Sequence, residues 1–369
     1  MNKTGTIILI IIIIILVALG IWYGVVKKPV SAPESKETVK IGAILPLTGN
    51  SSFMGDSCRK SILLAQKQLA GPTKYNYQVL FEDDVMDSVK TSIAASKFIN
   101  VDKVDVLISM SSGPGNVVSP MAQESKAIHF GLANDVNIAK GEYNFLHQTP
   151  PESEVQKFIQ ELQNRQISKI AIFMLNNEGG ITILNEIKKQ AQEKNIQIAY
   201  EVLLNPEQRD FKTEIAKAKA VNPQIIFVML FPPQLEIIAK QLKELAAGIP
   251  LTSIQAFEFT QQPDLFEGYW YVQAADPTEK FTNEYQAEYN DTPKLSAPYC
   301  YDIFNLVVGA YEKTGVDGKK PTHEVIANAL QQIKDFSGAV GKLSVLEGGI
   351  FWSDASLRMI KDGKPVTIK

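Results

Sequence analysis

A chain of 369 residues that is 45% hydrophobic and carries a formal charge of -3 can bury ordinary apolar cores, two of them at this length, and is not disordered by composition. Its pI lies near 5.8, and Lys and Arg are scattered through helical segments. No basic stripe of the kind a phosphate backbone requires is present in the sequence, so nucleic acid is excluded as a partner.

The sharpest compositional break comes first. Residues 7–26 carry no charge and lie between Lys3 and the pair Lys27-Lys28. That is about the length a helix needs to cross roughly 30 Å of hydrocarbon. A cleaved secretory signal is the competing reading, but such signals have a shorter apolar region and an A-x-A-like cleavage site, to which Ala18-Leu19-Gly20 is a weak match. No cysteine follows the run before Cys58, so a lipid-modified cysteine does not serve as the anchor. The run reads as a single-pass transmembrane signal anchor over 7–26, after a short tail over 1–6. Lysines flank both ends, and positive-inside counting leaves the orientation open. Residues 27–38 (KKPVSAPESKET) are polar, hold two prolines and have no apolar periodicity, which suits a linker.

From Val39 onward, short β-rich runs alternate with longer segments of helical period, the pattern of a parallel sheet covered on both faces. Strands are expected over 39–45, 75–82, 104–109, 127–132, 169–175, 196–203, 224–230 and 250–256. Val155, Phe158, Ile159 and Leu162 fall on one helical face, as do Leu235, Ile238, Leu242 and Leu245. Asp87 and Asp210 stand where an N-cap would open the next helix, and Pro298 suits a first turn. Two such units in tandem imply two α/β lobes separated by the Pro-Pro turn in His147–Glu152 (HQTPPE). A further strand over 269–273 and three more helices are too much chain for the second lobe alone, and imply a return to the first.

Several ordered blocks carry a family resemblance: VKIGAILPLTGNSSFMGDSCRKSILLA, FEDDVMDSVKTSIAASKFINVDKVDVLIS, DFKTEIAKAKAVNPQIIFV, SAPYCYDIFNLVVGAYEKTG and FSGAVGKLSVLEGG. Over 39–369 the chain resembles type I periplasmic binding proteins of the leucine/isoleucine/valine type, the extracellular receptors of branched-chain amino acid ABC transporters. The resemblance implies two Rossmann-like lobes with parallel sheets joined by three crossings, near 147–151, 273–277 and 336–339, with ligand bound between lobes that close by a hinge. Lobe one is then expected over 39–147 with 276–336, and lobe two over 150–273 with 339–369. The body is placed outside the cytoplasm, anchored in the cell membrane, as a monomer that hands a small-molecule ligand, an amino acid, to an ABC permease. Cys58 and Cys300 each begin a helix of lobe one on this division. An extracytoplasmic setting permits a bridge between them, and their Cα separation decides it.

Ligands of open parallel sheets sit beyond the carboxyl ends of strands. The loop from Ser111 to Asn116 follows a strand and leads into a helix, where hydroxyls and free amides meet an anion. An ordinary Gly-Pro turn is the plain alternative. The resemblance places the carboxylate-binding serine at Ser111, beside Ser112. It places ammonium- and carboxylate-holding groups at Leu132 and at Asn134, where an amide replaces the family's threonine, although Asn134-Asp135 also reads as a turn or cap. It places the acid that pairs with the ligand ammonium at Glu258, which by itself reads equally as an exposed loop glutamate. Phe231 replaces a tyrosine, Phe53 or Met54 matches the first-lobe aromatic, and Asn177-Glu178-Gly179-Gly180 stands where a tyrosine-glycine pair is usual. These departures imply a less polar pocket.

Gly113-x-Gly115-x-x-Val118 lacks the third glycine of a dinucleotide loop, and no Walker motif, Ser-His-Asp order or GxSxG elbow occurs. His129, His147 and His323 lack metal-site spacing. The run Glu82-Asp83-Asp84 reads as a solvated or ligand-approach loop, one Asp of which could line the cleft. No cofactor, metal or catalysis is expected. The rivals are a ligand-sensing receptor for a signalling partner and, remotely, a Rossmann-like nucleotide-dependent enzyme.

Overall fold

Strands that are apolar at every position need cover on both faces, and the chain supplies such cover twice. The computed structural model describes residues 3–26, 36–316 and 318–368, in two units, Met1–Lys36 and Glu37–Lys369. The smaller unit holds helix α1 (Lys3–Val26). Its apolar side chains lie open on every side, from Ile7 at 58% to Trp22 at 64% exposed. Among the described residues no helix is long and apolar enough to cross a membrane. The side chains of α1 are described without a break only over 10–22, so the expected span rests on the sequence. Most of the expected linker, 27–35, lies outside the described residues, as do residues 1 and 2 of the tail.

In the larger unit the first lobe begins with β1 (Thr38–Leu45), α2 (Ser52–Lys67), β2 (Asn76–Asp83), α3 (Ser88–Lys97), β3 (Val106–Met110), α4 (Ser112–Ser125), β4 (Ile128–Leu132) and β5 (Asn144–His147). These strands lie parallel in the order β5-β4-β3-β1-β2. Side chains alternate across the sheet with the period of two that a strand imposes. Val39, Ile41, Ala43 and Leu45 pack on the face that holds Cys58 and Ile62 of α2, whereas Ile44 and Leu107 pack with Ala94 of α3 and Val118 of α4. As expected, Asp87 caps α3, accepting from the backbone of Val89 and Lys90.

The second lobe repeats the device with α5 (Pro151–Asn164), β6 (Lys169–Leu175), α6 (Glu178–Glu193), β7 (Gln197–Leu204), α7 (Lys212–Ala220), β8 (Ile225–Met229), α8 (Gln234–Leu245), β9 (Leu251–Thr252) and β10 (Trp270–Gln273). Ala171, Phe173 and Leu175 face α7 and α8, while Ile170, Ile172 and Met174 face α5 and α6. Two expectations shift here. Asp210 does not cap α7; it accepts from Lys212 N one residue outside the cap. The strand expected over 250–256 stops at Thr252, where the Ser253 hydroxyl bonds the Val228 carbonyl at 2.7 Å; beyond it the chain keeps only a single bridge, from Ile254 to Val272 of β10.

The return brings α9 (Glu279–Tyr289), α10 (Ser296–Thr314) and α11 (His323–Leu330), with Pro298 in the first turn of α10, and then β11 (Phe336–Gly338), β12 (Gly341–Leu346), β13 (Ile350–Trp352), β14 (Ser356–Lys361) and β15 (Lys364–Thr367). Strand β13 pairs with β5 through Ile350 with Leu146 and Phe351 with His147, so β11 to β13 complete an eight-stranded first sheet. Only β14 and β15 join the second lobe, beside β10. The third crossing therefore lies over 353–355 and not over 336–339; the earlier segment is a hairpin turned at Ala339-Val340, with Gly341 (φ 93°) opening its second strand.

The three crossings meet at Thr149. Its fully buried hydroxyl contacts Tyr299 Oη at 2.8 Å and Ser353 Oγ at 2.7 Å, and it accepts from Ala275 N at 3.0 Å. One donor and two acceptor sites are thereby all used.

Cys58 on α2 and Cys300 on α10 form a disulfide, with Cα atoms 5.3 Å apart across a sequence separation of 242. The bond ties the first helix of lobe one to a helix that arrives only after the chain has built lobe two. Replacing both cysteines with serine is expected to cost about 2–5 kcal/mol in urea unfolding, mostly through the freed unfolded chain. Alkylation of the denatured, unreduced protein should label no thiol; two labelled thiols would contradict the bridge.

Candidate functional site

Because the strands of each lobe run parallel, their following loops gather at one end, and the two sets face each other across a cleft. The cleft measures about 750 Å³ when the space open at its mouth is included. That is within the range of small-molecule sites.

One wall is the start of α4. Ser111 links β3 to this helix with φ 80° and ψ 155°, a conformation left almost entirely to glycine. It lines the cleft, and among the described residues none hydrogen-bonds its hydroxyl. The first-turn amides of Ser112 and Gly113 have no earlier helical carbonyl to bond. Ser112 Oγ also accepts from Asp135 N at 3.2 Å. Asn134 Oδ1 accepts from Gln148 Nε2 at 2.5 Å, and Leu132 accepts from Ser111 N at 2.8 Å, which fixes the loop after β4 against the loop after β3. Opposite stands the start of α6, capped by Asn177 through Gly180 N at 2.8 Å. A Cβ built on Gly180 would meet the Leu175 carbonyl at 2.3 Å, so only glycine fits there. One on Gly179 would lie 3.5 Å from Ser112 Oγ and 3.8 Å from Asn134 Nδ2, ordinary van der Waals spacing across the cleft. Two helix N-termini thus converge, and their dipoles make the space between them favourable to an anion.

The rest of the lining is mostly apolar, with Gln255, Ser296 and Tyr299 as its polar members. Met54, Met86, Met110 and Met229 face it, with Phe231 and Phe259. Phe259 packs on Phe231 with centroids 5.2 Å apart and on Phe53 at 6.0 Å, an aromatic row that joins the lobes. Met54 is thus the lining residue of the expected pair, and Phe53 buttresses from outside it. Met86 and Gln255, both lining residues, also have positive φ (59° and 62°). The acidic run explains the first of these. Asp83 accepts from Val85 N and Asp84 from Met86 N, and together they hold this strained pair in place. Asp83 also binds Leu47 N, Asp84 takes the Thr91 hydroxyl, and Glu82 pairs with Lys97, so none of the three acids is among the lining residues.

The structure places Glu258 elsewhere than expected. Its carboxylate takes Arg358 Nη1 at 2.7 Å and the Tyr271 hydroxyl, and Arg358 also pairs with Asp276. It is outside the lining. The single helical turn over Ala256–Glu258 swings it behind the wall and leaves Gln255 at the cleft. Gln255 Nε2 donates to Glu154 Oε1 at 2.5 Å, and Glu154 Oε2 is buried without a partner. Complete burial pushes the Glu154 carboxyl from 4.5 up to about 8. Among the described lining residues none is Asp, Glu, Lys, Arg or His.

The histidines are internal supports. His129 bridges Ser109 and Asn144 and is driven down to about 4 by burial; His147 lies 3.6 Å from Asp302; His323 meets Asp105.

Residues 38–364 match the model of the periplasmic binding protein family. The chain belongs to this family. It is 22% identical over 321 residues to a leucine-, isoleucine-, valine-, threonine- and alanine-binding protein of Pseudomonas aeruginosa, covering 80% of this chain and 84% of the relative. A leucine-binding protein of Thermotoga maritima superposes with a TM-score of 0.81 at 20% identity, over 90% of this chain and 98% of that one. A solute-binding protein of an ABC transporter of R. palustris, solved in complex with benzoate, gives 0.81 at 17% identity, over 90% and 95%. The fold is that of the type I periplasmic binding proteins, and the chain is a solute-binding protein, not an enzyme.

Of the residues expected in the site of this binding protein, Ser111, Ser112, Leu132, Asn134, Phe231 and Met54 come together at the cleft, and Glu258 and Phe53 do not. Sequence reasoning missed Met86, Met110, Met229, Gln255 and Tyr299. Met110 and Met229 end strands, the signal that could have found them; Tyr299 sits on α10 and carried none.

Glu154 gives a pH signature. A carboxyl held protonated in the fold but ionising near 4.5 when unfolded makes its own contribution to stability largest below pH 4.5, declining until about pH 8 and level beyond. Glu154→Gln keeps an acceptor for Gln255 and removes that slope. Thermal unfolding should therefore show the variant a few kcal/mol more stable than the parent on the alkaline side, at about 1.4 kcal/mol per pKa unit, with the gap closing toward acid. Parallel curves would contradict this.

Proposed function

We propose that this binding protein captures a small carboxylate-bearing solute in the cleft, outside the cytoplasm, and delivers it as a monomer to the permease of an ABC transporter. The observation that carries the reading is the Ser111 hydroxyl, unpartnered among the described residues and held in a strained backbone beside the first-turn amides of α4, in a cleft whose described lining residues include no cation to compete for an anion. A carboxylate answers that geometry with charge-assisted hydrogen bonds. The similar proteins support it: the ligands named for the Pseudomonas aeruginosa relative and the benzoate of the R. palustris structure share a carboxylate and little else.

The lobes close about Thr149, where the crossings meet, and the solute bridges the α4 and α6 helix ends. Helix α1 serves as an uncleaved single-pass anchor, since a helix apolar on all sides has no face to give to water. That places the body next to the membrane where a permease works.

Ser111→Ala should weaken the retained solute by about tenfold in calorimetric titration, the low end of a charge-assisted hydrogen bond of about 1.5–3 kcal/mol. Glu258→Gln should leave affinity within about twofold while lowering the melting temperature, because Arg358 loses one of its two carboxylates. Unchanged affinity in Ser111→Ala would remove the carboxylate from this wall.

Protein recovered from cell membranes should begin at the natural N-terminus by terminal sequencing. A start near Ile21 would mean a cleaved signal.

A further inference from the structure

The reading of the cleft as the solute site is the starting point, and the charges around that site narrow the class of solute. An α-amino acid brings an ammonium, and burying it is tolerable only against a carboxylate or several well-placed acceptors. Two acids approach this cleft without entering it. Glu154 lies behind Gln255, fully buried, and its raised pKa keeps it uncharged near neutrality. Glu178 is exposed at the mouth, its Oε2 3.4 Å from where a Cβ on Gly113 would stand, and water screens it. The acid expected to meet an ammonium, Glu258, is already spent on Arg358.

The fixed dipoles act in the same direction. The N-termini of α4 and α6 both face the cleft, so its field is positive where charge would have to sit. A carboxylate gains from this and an ammonium loses. The remaining wall has neutral polar side chains at Gln148, Gln255, Ser296 and Tyr299 but no carboxylate; its four methionines with Phe231 and Phe259 offer polarisable contact to a hydrocarbon body, and thioethers pack favourably against aromatic rings.

We propose that the solute is a monocarboxylate with an uncharged apolar body, aromatic or branched, and that the cleft rejects the α-ammonium of an amino acid. The carboxylate sits at the Ser111 wall and the body among the methionines.

The test pairs acids that differ only in the amino group: 4-methylpentanoate against leucine, and 3-phenylpropanoate against phenylalanine. Each is titrated calorimetrically into protein stripped of retained solute by unfolding and refolding with its disulfide intact. In both pairs the amine-free acid should bind about tenfold or more tightly, a difference of about 1.4 kcal/mol. An amino acid that binds as tightly as its partner overturns the class, and so does failure of both amine-free acids to bind. Native mass spectrometry of the unstripped protein separates the two readings. A retained amine-free acid supports both. A retained amino acid overturns the class but leaves capture in the cleft standing. A protein that retains nothing and binds neither pair overturns capture as well.

Discussion

The structure turns on a single hydroxyl. The chain passes between its lobes at 147–151, 273–277 and 353–355, and Thr149, on the first passage, is hydrogen-bonded to Ala275 on the second and Ser353 on the third, with Tyr299 of α10 closing the set. A hydroxyl has one proton and two lone pairs, so this arrangement is saturated and admits no water. Loss of it would strand buried polar groups at about 1–3 kcal/mol each. Rotation of one lobe against the other displaces atoms least near the crossing segments, and a short-range network can persist only there. The cluster can therefore stay intact while the cleft opens and shuts.

The site is a product of the sheets on either side of that pivot. Each parallel sheet delivers its loops to the end facing the other lobe, which is why Ser111, Asn134, Phe231 and Gln255, from four different strand ends, share one wall or another of the cleft. The price is paid in backbone strain. Val85, Met86, Ser111 and Gln255 all have positive φ, a conformation costing of order 1–3 kcal/mol each outside glycine, and each is fixed by its surroundings: Asp83 and Asp84 for the first two, Leu132 for the third, Glu154 for the last. Positive φ also occurs at helix ends and turns away from the cleft, such as Lys126 and Asn195, but strain held firmly at the cleft keeps side chains aimed at a ligand before it arrives.

How much of this was readable depends on what kind of physics each part expresses. The inner strands β3, β4, β6 and β8 are nearly unbroken apolar runs, because both of their faces are covered, and they stand out in any sequence. The chain after Phe336 is different: short, glycine-punctuated pieces that pair antiparallel at sheet edges, such as Gly341–Leu346, have no such run, and the third crossing was accordingly misplaced. Within the site, Ser111, Asn134 and Phe231 were legible because they follow strong strands. Glu258 was not, because its position depends on where β9 stops, and there the Ser253 hydroxyl reaches back to Val228. Met110 and Met229 were passed over for the opposite reason: an apolar residue at a strand end reads as core until the facing lobe is seen to leave it uncovered.

Those methionines carry a consequence for selectivity. Met54, Met86, Met110 and Met229 come from four separate segments of the chain and are unbranched, with three rotatable bonds apiece. A wall of this kind moulds itself to rings and to branched chains at nearly equal cost, so it sorts poorly by outline. Sorting falls to charge, which the helix ends judge strictly. A receptor of this design in a mixed broth of metabolites would be occupied by whichever permitted acid is most plentiful, so the composition of the surroundings, more than the contour of the pocket, would set its cargo.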